Sequence, residues 1–300
     1  MKHLASMLVA VLAAAALVLF SACSPVVSQN EPEVSVRAGL NWSDASIQLP
    51  LDAFSMTADE RSLIYAARNI WFVRCITGDN TVPQVELTRS RDMLTTPHRV
   101  DVPNWLFGWW NASYVSTHGW LAASPSVDRY MPGASISRLN EVAGIQCSKA
   151  NDMRLLRPVG IGFVMVEGGD SDDAFSALFE HRMDAYRYVT HDSRYAAASA
   201  VMENCLKSSG YSLHQGHHDD YPGITVRTRD DWSGEQVQAA YLAAAQCNDQ
   251  NNITQTLSDL QATYEQMAVD AHEAEFVAMR QEVEKRLAKA HELLREAGLE

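Results

Sequence analysis

The stretch Ala196–Gly210, AAASAVMENCLKSSG, decides the fold because the chain carries it twice. The earlier copy is Ala66–Gly78, AARNIWFVRCITG. Each is an apolar run with a cysteine near its end and a glycine behind it, the order expected of a helix and its C-terminal stop. Downstream of each lies a second helical run that closes on cysteine, Ile136–Cys147 (ISRLNEVAGIQC) and Gln236–Cys247 (QVQAAYLAAAQC). The chain therefore reads as mainly α with short β elements (α+β). It comprises two repeated helix–Cys…helix–Cys units, disulfide-stapled, followed by a long C-terminal helix.

The chain has 300 residues, 47% hydrophobic and 20% charged, a balance that supports one or two domains with a sizeable core. A net charge of −13 argues against sequence-independent nucleic-acid binding, which needs a cationic footprint. It equally argues against electrostatic docking on an anionic leaflet. Membrane attachment must then be covalent or hydrophobic.

The N-terminus offers such an attachment. Met1-Lys2-His3 is a short basic segment, and Leu4–Phe20 is an apolar run too short for a comfortable span. Phe20-Ser21-Ala22-Cys23 follows and resembles a bacterial lipobox, with Phe20 standing where Leu, Val or Ile is usual. The expectation is a lipoprotein signal peptide over residues 1–22 and a lipidated, palmitate-bearing Cys23. The competing readings are a plain secretory peptide or an uncleaved anchor helix.

Setting Cys23 aside leaves four of the five cysteines: Cys75, Cys147, Cys205 and Cys247. In an oxidising exterior an even set at repeated positions reads as two disulfides, with three connectivities open. The duplication favours Cys75–Cys147 and Cys205–Cys247, each closing one unit on itself. By chain entropy each bridge contributes about 4 kcal/mol. Spacing of the C-x-x-C type, which would suggest zinc, is absent.

Residues 23–52 read as a lipidated tether, polar and aperiodic, with a reach of about 30 Å. The first unit is placed at residues 53–155, opening on the capping box Thr57-Ala58-Asp59-Glu60. Between Val82 and Val102 prolines limit regular structure, and VPQVELT is read as a short strand. Trp105–Trp120, WLFGWWNASYVSTHGW, is the most aromatic segment. Trp105, Trp109, Trp110 and Trp120 are candidate glycan-stacking residues; the favoured alternative is a plug that packs against the cysteine helix of its own unit.

The second unit is placed at residues 156–250. It carries a strand candidate at Val159–Val166, a helix at Asp173–Val189, the cysteine helix from Asp192 or Ser193 to Gly210, a short strand at Ile224–Val226, and a capping box at Ser233–Gln236. Its loop holds His214, His217, His218, Asp219 and Asp220, donors suited to a divalent transition metal; the competing reading is a solvated polar loop. His98, His118, His181 and His191 show no ligand spacing. Residues 251–300 hold one long helix, about 44 residues and roughly 66 Å if continuous. Its seam includes Leu257, Leu260, Tyr264, Met267, Ala271 and Ala274, then skips and resumes at Met279, Val283, Leu287, Ala290 and Leu294. An intramolecular antiparallel arrangement is favoured over a parallel dimer.

The duplicated cysteine helix with its glycine stop, the phrase Phe107-Gly108…Ala112…His118-Gly119-Trp120, the second helix ending in cysteine and the lipobox together resemble uncharacterised actinobacterial secreted lipoproteins. In that group the phrase commonly reads FG…A…YGY. The resemblance spans most of the chain beyond the leader. It implies a fold and an address, and no activity.

Catalytic signatures are missing: no G-x-S-x-G elbow, no Walker loop, and no H-E-x-x-H at His272-Glu273 or His291-Glu292. The leading expectation is a lipid-anchored extracytoplasmic protein on the outer face of the cytoplasmic membrane. It binds an envelope protein or glycan partner, without enzymatic activity, cofactor or nucleic acid. The alternatives are a metal-binding or metal-dependent protein using the His214–Asp220 loop, or an envelope hydrolase with a motif-free site.

Overall fold

The computed structural model describes residues 31–78, 81–95, 106–119, 147, 156, 173–215 and 223–300. It is mainly helical with a few short antiparallel strands, and it contains both disulfides, Cys75–Cys147 and Cys205–Cys247. The helix expected for 136–147 (save Cys147) and the strand expected at 159–166 lie outside the described residues.

Helix α1 (Ala58–Thr77) begins where the capping box places it. The Thr57 Oγ1 accepts from the Glu60 amide at 3.2 Å, and the Thr57 amide donates to Glu60 Oε2 at 2.8 Å. Gly78 ends the helix at φ +64°, a left-handed cap that favours glycine. The expected strand after it is a helix, α2 (Gln84–Thr95). Pro83 does not prevent it, because the proline lies just before the first turn, where its carbonyl accepts from the Glu86 and Leu87 amides. Asn69 of α1 then donates to Glu86 Oε2 and Ser90 Oγ of α2, at 3.2 and 3.1 Å, joining two buried polar faces.

In the second half, α4 (Asp173–His191) leads to α5 (Ser193–Ser208), whose N-cap is Asp192. Burial works against ionisation of Asp192, but Arg194, the Arg194 amide and Tyr264 hold its carboxyl below the usual range. Strands β3 (Leu213–Gln215) and β4 (Ile224–Val226) pair antiparallel, with His214 opposite Thr225. At Gly223 a Cβ would stand 2.5 Å from Tyr195 Oη, so the approach of this strand to the core requires glycine. Ser233 and Gln236 form the expected capping box for α6 (Gly234–Gln250), which carries Cys247.

The long C-terminal helix is in two pieces, α7 (Ile253–Ala271) and α8 (Glu273–Glu296). His272, at φ −128° and ψ 27°, leaves the helical region between them. The skip in the apolar seam is this break. Met267 of the expected seam is exposed, whereas Phe276 and Met279 are buried with Leu51 and Leu178. Helix α8 lies on its own chain, against α1, and runs parallel to it: Arg280 meets Glu60 and Arg74 meets Glu296, each at 2.7 Å. The antiparallel expectation is thereby corrected for this pair.

The tether is corrected as well. Residues from Val34 onward belong to the same compact unit as the helices. The Ala38 amide donates to Asp259 Oδ1 at 2.8 Å and its carbonyl accepts from Gln255 Nε2, so the segment runs along α7. Strands β1 (Gly39–Asn41) and β2 (Ser46–Gln48) form a hairpin, and a 3-10 turn spans Pro50–Phe54. Elements this short leave no periodicity for the sequence to display.

The core is shared across the two cysteine units. One cluster joins α1, α2, Leu156 and α8; the larger one joins α5, α6, α7 and β4 with Leu106–Val115 from the first unit. Among the described residues the aromatic segment therefore plugs the second unit and not its own. Asn248 of α6 donates to the Phe107 and Trp109 carbonyls at 3.1 and 2.8 Å, and Gln238 donates to the Val115 carbonyl. The segment ends in the short helix α3 (Ala112–His118).

Candidate functional site

The tryptophans expected to stack on a glycan divide. Trp109 and Trp110 are buried, with Trp109 tilted against Tyr241 of α6 and Trp110 edge-on to Trp42. Neither presents a face to a ligand, because both rings are packed into the core, 3% and 0% exposed. Trp105 and Trp120 lie outside the described residues, as do His217, His218, Asp219 and Asp220. His214 is described, and it stands half-buried in the β3–β4 ladder.

A different cluster forms at the break between α7 and α8. His272 is the junction residue, and Glu275 sits in the first turn of α8, where the positive end of a helix favours an acid. His181 reaches the same point from α4. Its Nε2 lies 3.8 Å from Glu275 Oε2, and His272 Nδ1 lies 3.4 Å from that same oxygen. The two imidazole centroids are 4.6 Å apart, and Phe276 closes the floor, edge-on to His181 at 5.1 Å. Phe276 is fully buried, while the three donor side chains are half-buried or exposed.

Packing behind the cluster fixes α4. Arg182, the residue after His181, donates to Asp52 Oδ1 at 2.8 Å and to Glu265 Oε2 at 3.1 Å. Glu265 also accepts from the Leu51 amide and from Gln261 Nε2. Burial pushes the Glu265 carboxyl up; Arg182 pulls it down without cancelling that rise, and Asp52 adds to it. Arg182 is held charged above its ordinary range against the cost of burial, by Asp52 and Glu265. This triad, in which Glu265 is fully buried, joins α4 to α7 and to the 3-10 turn, so the helix that carries His181 is tied to both.

Sequence reading missed the cluster because His181 and His272 are 91 positions apart and neither sits in a ligand motif. The one local sign was His272-x-x-Glu275, an i,i+3 pair at the skip in the apolar seam. Two imidazoles and a carboxylate are donors that borderline divalent ions accept.

Among the described residues no helix is long and apolar enough to cross a membrane. Comparison of the chain with known protein families, curated proteins and solved structures finds no match.

Proposed function

We propose that this chain is a lipid-anchored extracytoplasmic protein, the address expected of the actinobacterial lipoproteins it resembles, and that it works by binding an envelope protein or glycan partner. One observation carries the reading. The two bridges use four of the five cysteines, and the fifth is Cys23, the residue that closes the lipobox-like Phe20–Cys23. Paired structural cysteines fit an oxidising compartment. A cysteine left over at the end of an apolar leader fits an acyl anchor, which two or more chains hold firmly at a bilayer. The −13 charge supports attachment by lipid rather than by electrostatics.

The test is Cys23→Ser in a bacterial host, followed by membrane fractionation and intact mass. The expected result is an unprocessed or released protein without the acyl mass found on the parent. An unchanged mass and unchanged membrane retention in the variant would overturn the reading. Partner binding is read separately, by crosslinking on intact envelopes with the parent chain. The expected result is a recurrent protein or glycan adduct, and a crosslink pattern identical to that of an unrelated lipoprotein counts against a binding role.

A further inference from the structure

We propose that His181, His272 and Glu275 form a binding site for a divalent transition cation of the zinc class, which ties the α7–α8 break to α4. The site is distinct from the His214–Asp220 loop and does not depend on the anchor. Its three ligand atoms all lie within 4.8 Å of one another, with two of the separations at 3.4 and 3.8 Å. In a tetrahedral zinc site with bonds of about 2.0–2.1 Å, neighbouring ligand atoms stand roughly 3.3 Å apart. Closing the cluster onto an ion therefore takes rotamer adjustments of at most about 1.5 Å. Two of the three donors, His272 and Glu275, are exposed and able to make them, being 47% and 43% accessible. The third stands on α4, beside Arg182, which is paired with Asp52 and Glu265.

Neither the helix dipole nor simple ion pairing accounts for the whole cluster. The dipole favours an acid at Glu275 but gives no reason for two imidazoles packed beside it. The His–Glu separations of 3.4 and 3.8 Å exceed the roughly 2.7–2.9 Å of a charge-assisted hydrogen bond and lie closer to the spacing of ligand atoms around one ion. Two imidazoles with centroids 4.6 Å apart repel if both are protonated, whereas a shared cation needs both neutral. The donor set also selects the ion. Calcium and magnesium prefer all-oxygen shells, while two nitrogens and one carboxylate oxygen suit zinc, nickel or copper. Three protein donors leave one coordination position open to solvent.

The experiment uses the full chain, purified in detergent with both disulfides intact and stripped with chelator. Zinc chloride is titrated by calorimetry, with magnesium chloride as the hard-ion control. The expected result is one zinc per chain, bound at least a hundredfold more tightly than magnesium. His272→Ala and Glu275→Gln are each expected to weaken it more than tenfold. Both replace exposed side chains, so folding is preserved, which circular dichroism checks. His217→Ala/His218→Ala is expected to leave this binding unchanged. A copper-loaded sample should show hyperfine coupling to two imidazole nitrogens, falling to one in His272→Ala. Zinc binding no tighter than magnesium, or binding that survives His272→Ala and disappears in the loop variant, would overturn the proposal.

Discussion

Asp249 shows how one side chain can set the response to pH. It sits near the end of α6, where Oδ2 accepts from the Ala112 amide at 3.3 Å and Oδ1 is buried without a hydrogen bond among the described residues. Burial pushes its carboxyl up to about 6, only partly offset by that amide. The folded state therefore holds the Asp249 proton more tightly than the unfolded state, where a carboxyl of this kind titrates near 3.9. Where the native state binds more protons, stability falls as pH rises. The contribution of Asp249 is thus present below about pH 4 and lost as pH climbs to about 6. Asp249→Asn keeps the acceptor for Ala112 and removes the buried charge. Urea unfolding at pH 7 is expected to show the variant about 1 kcal/mol more stable, the partial exposure of the site limiting the gain. The difference should vanish near pH 4; a variant less stable than the parent at both pH values would refute the account. The titration was not legible in the sequence, since Asp249 follows Cys247 and Asn248 in an ordinary helical run and its amide partner lies 137 positions away.

Among the helices and strands, caps and stops were readable and partners were not. Thr57–Glu60, Ser233–Gln236, Asp192 and Gly78 all act locally, within four residues, and each ends or begins a helix where the letters place it. The strand expected at VPQVELT failed because a short polar-apolar run carries no strong period, and burial against Asn69 decides for helix α2. The disulfides were readable through duplication alone. The Cys205–Cys247 bridge joins α5 to α6 across a separation of 42 residues. Replacing both cysteines by alanine is expected to cost about 4 kcal/mol of unfolding free energy and to raise the denaturant slope, because the denatured chain is no longer cross-linked. Equilibrium urea unfolding measures both. An unchanged midpoint would show that the bridge only records proximity.

Across the entire fold the two cysteine units exchange support. The first unit supplies Leu106–Val115 to the core of the second, and the C-terminal helix α8 returns to wall the first. Val283, Ala290, Leu293 and Leu294 of α8 are buried in the α1–α2 cluster. Burial of such side chains is worth about 1.5–3 kcal/mol each for the larger ones, a sum comparable with the whole stability of a domain. A chain ending at Ala271 should therefore lose amide-exchange protection across Ala58–Thr77 by at least a hundredfold. The region from α5 to α7, stapled by its own disulfide, should stay within a few-fold of the parent. Equal loss in both regions, or protection retained in α1, would contradict this division of the core.

Features that are local or periodic were set by the order of residues alone: the helical class, the capped starts, the glycine stops, and the cysteine pairing read from duplication. Packing in three dimensions settled the rest. It fixed where Trp109 and Trp110 face, that Ser35–Ala38 run along α7, that α8 runs parallel to α1, and that His181 meets His272 and Glu275. The difference is one of range. Capping and helix termination depend on hydrogen bonds a few residues long, which the order of letters records directly. Which apolar face covers which, and which donors converge, depends on side chains tens to hundreds of positions apart, and burial of apolar surface carries no mark of its partner in the sequence.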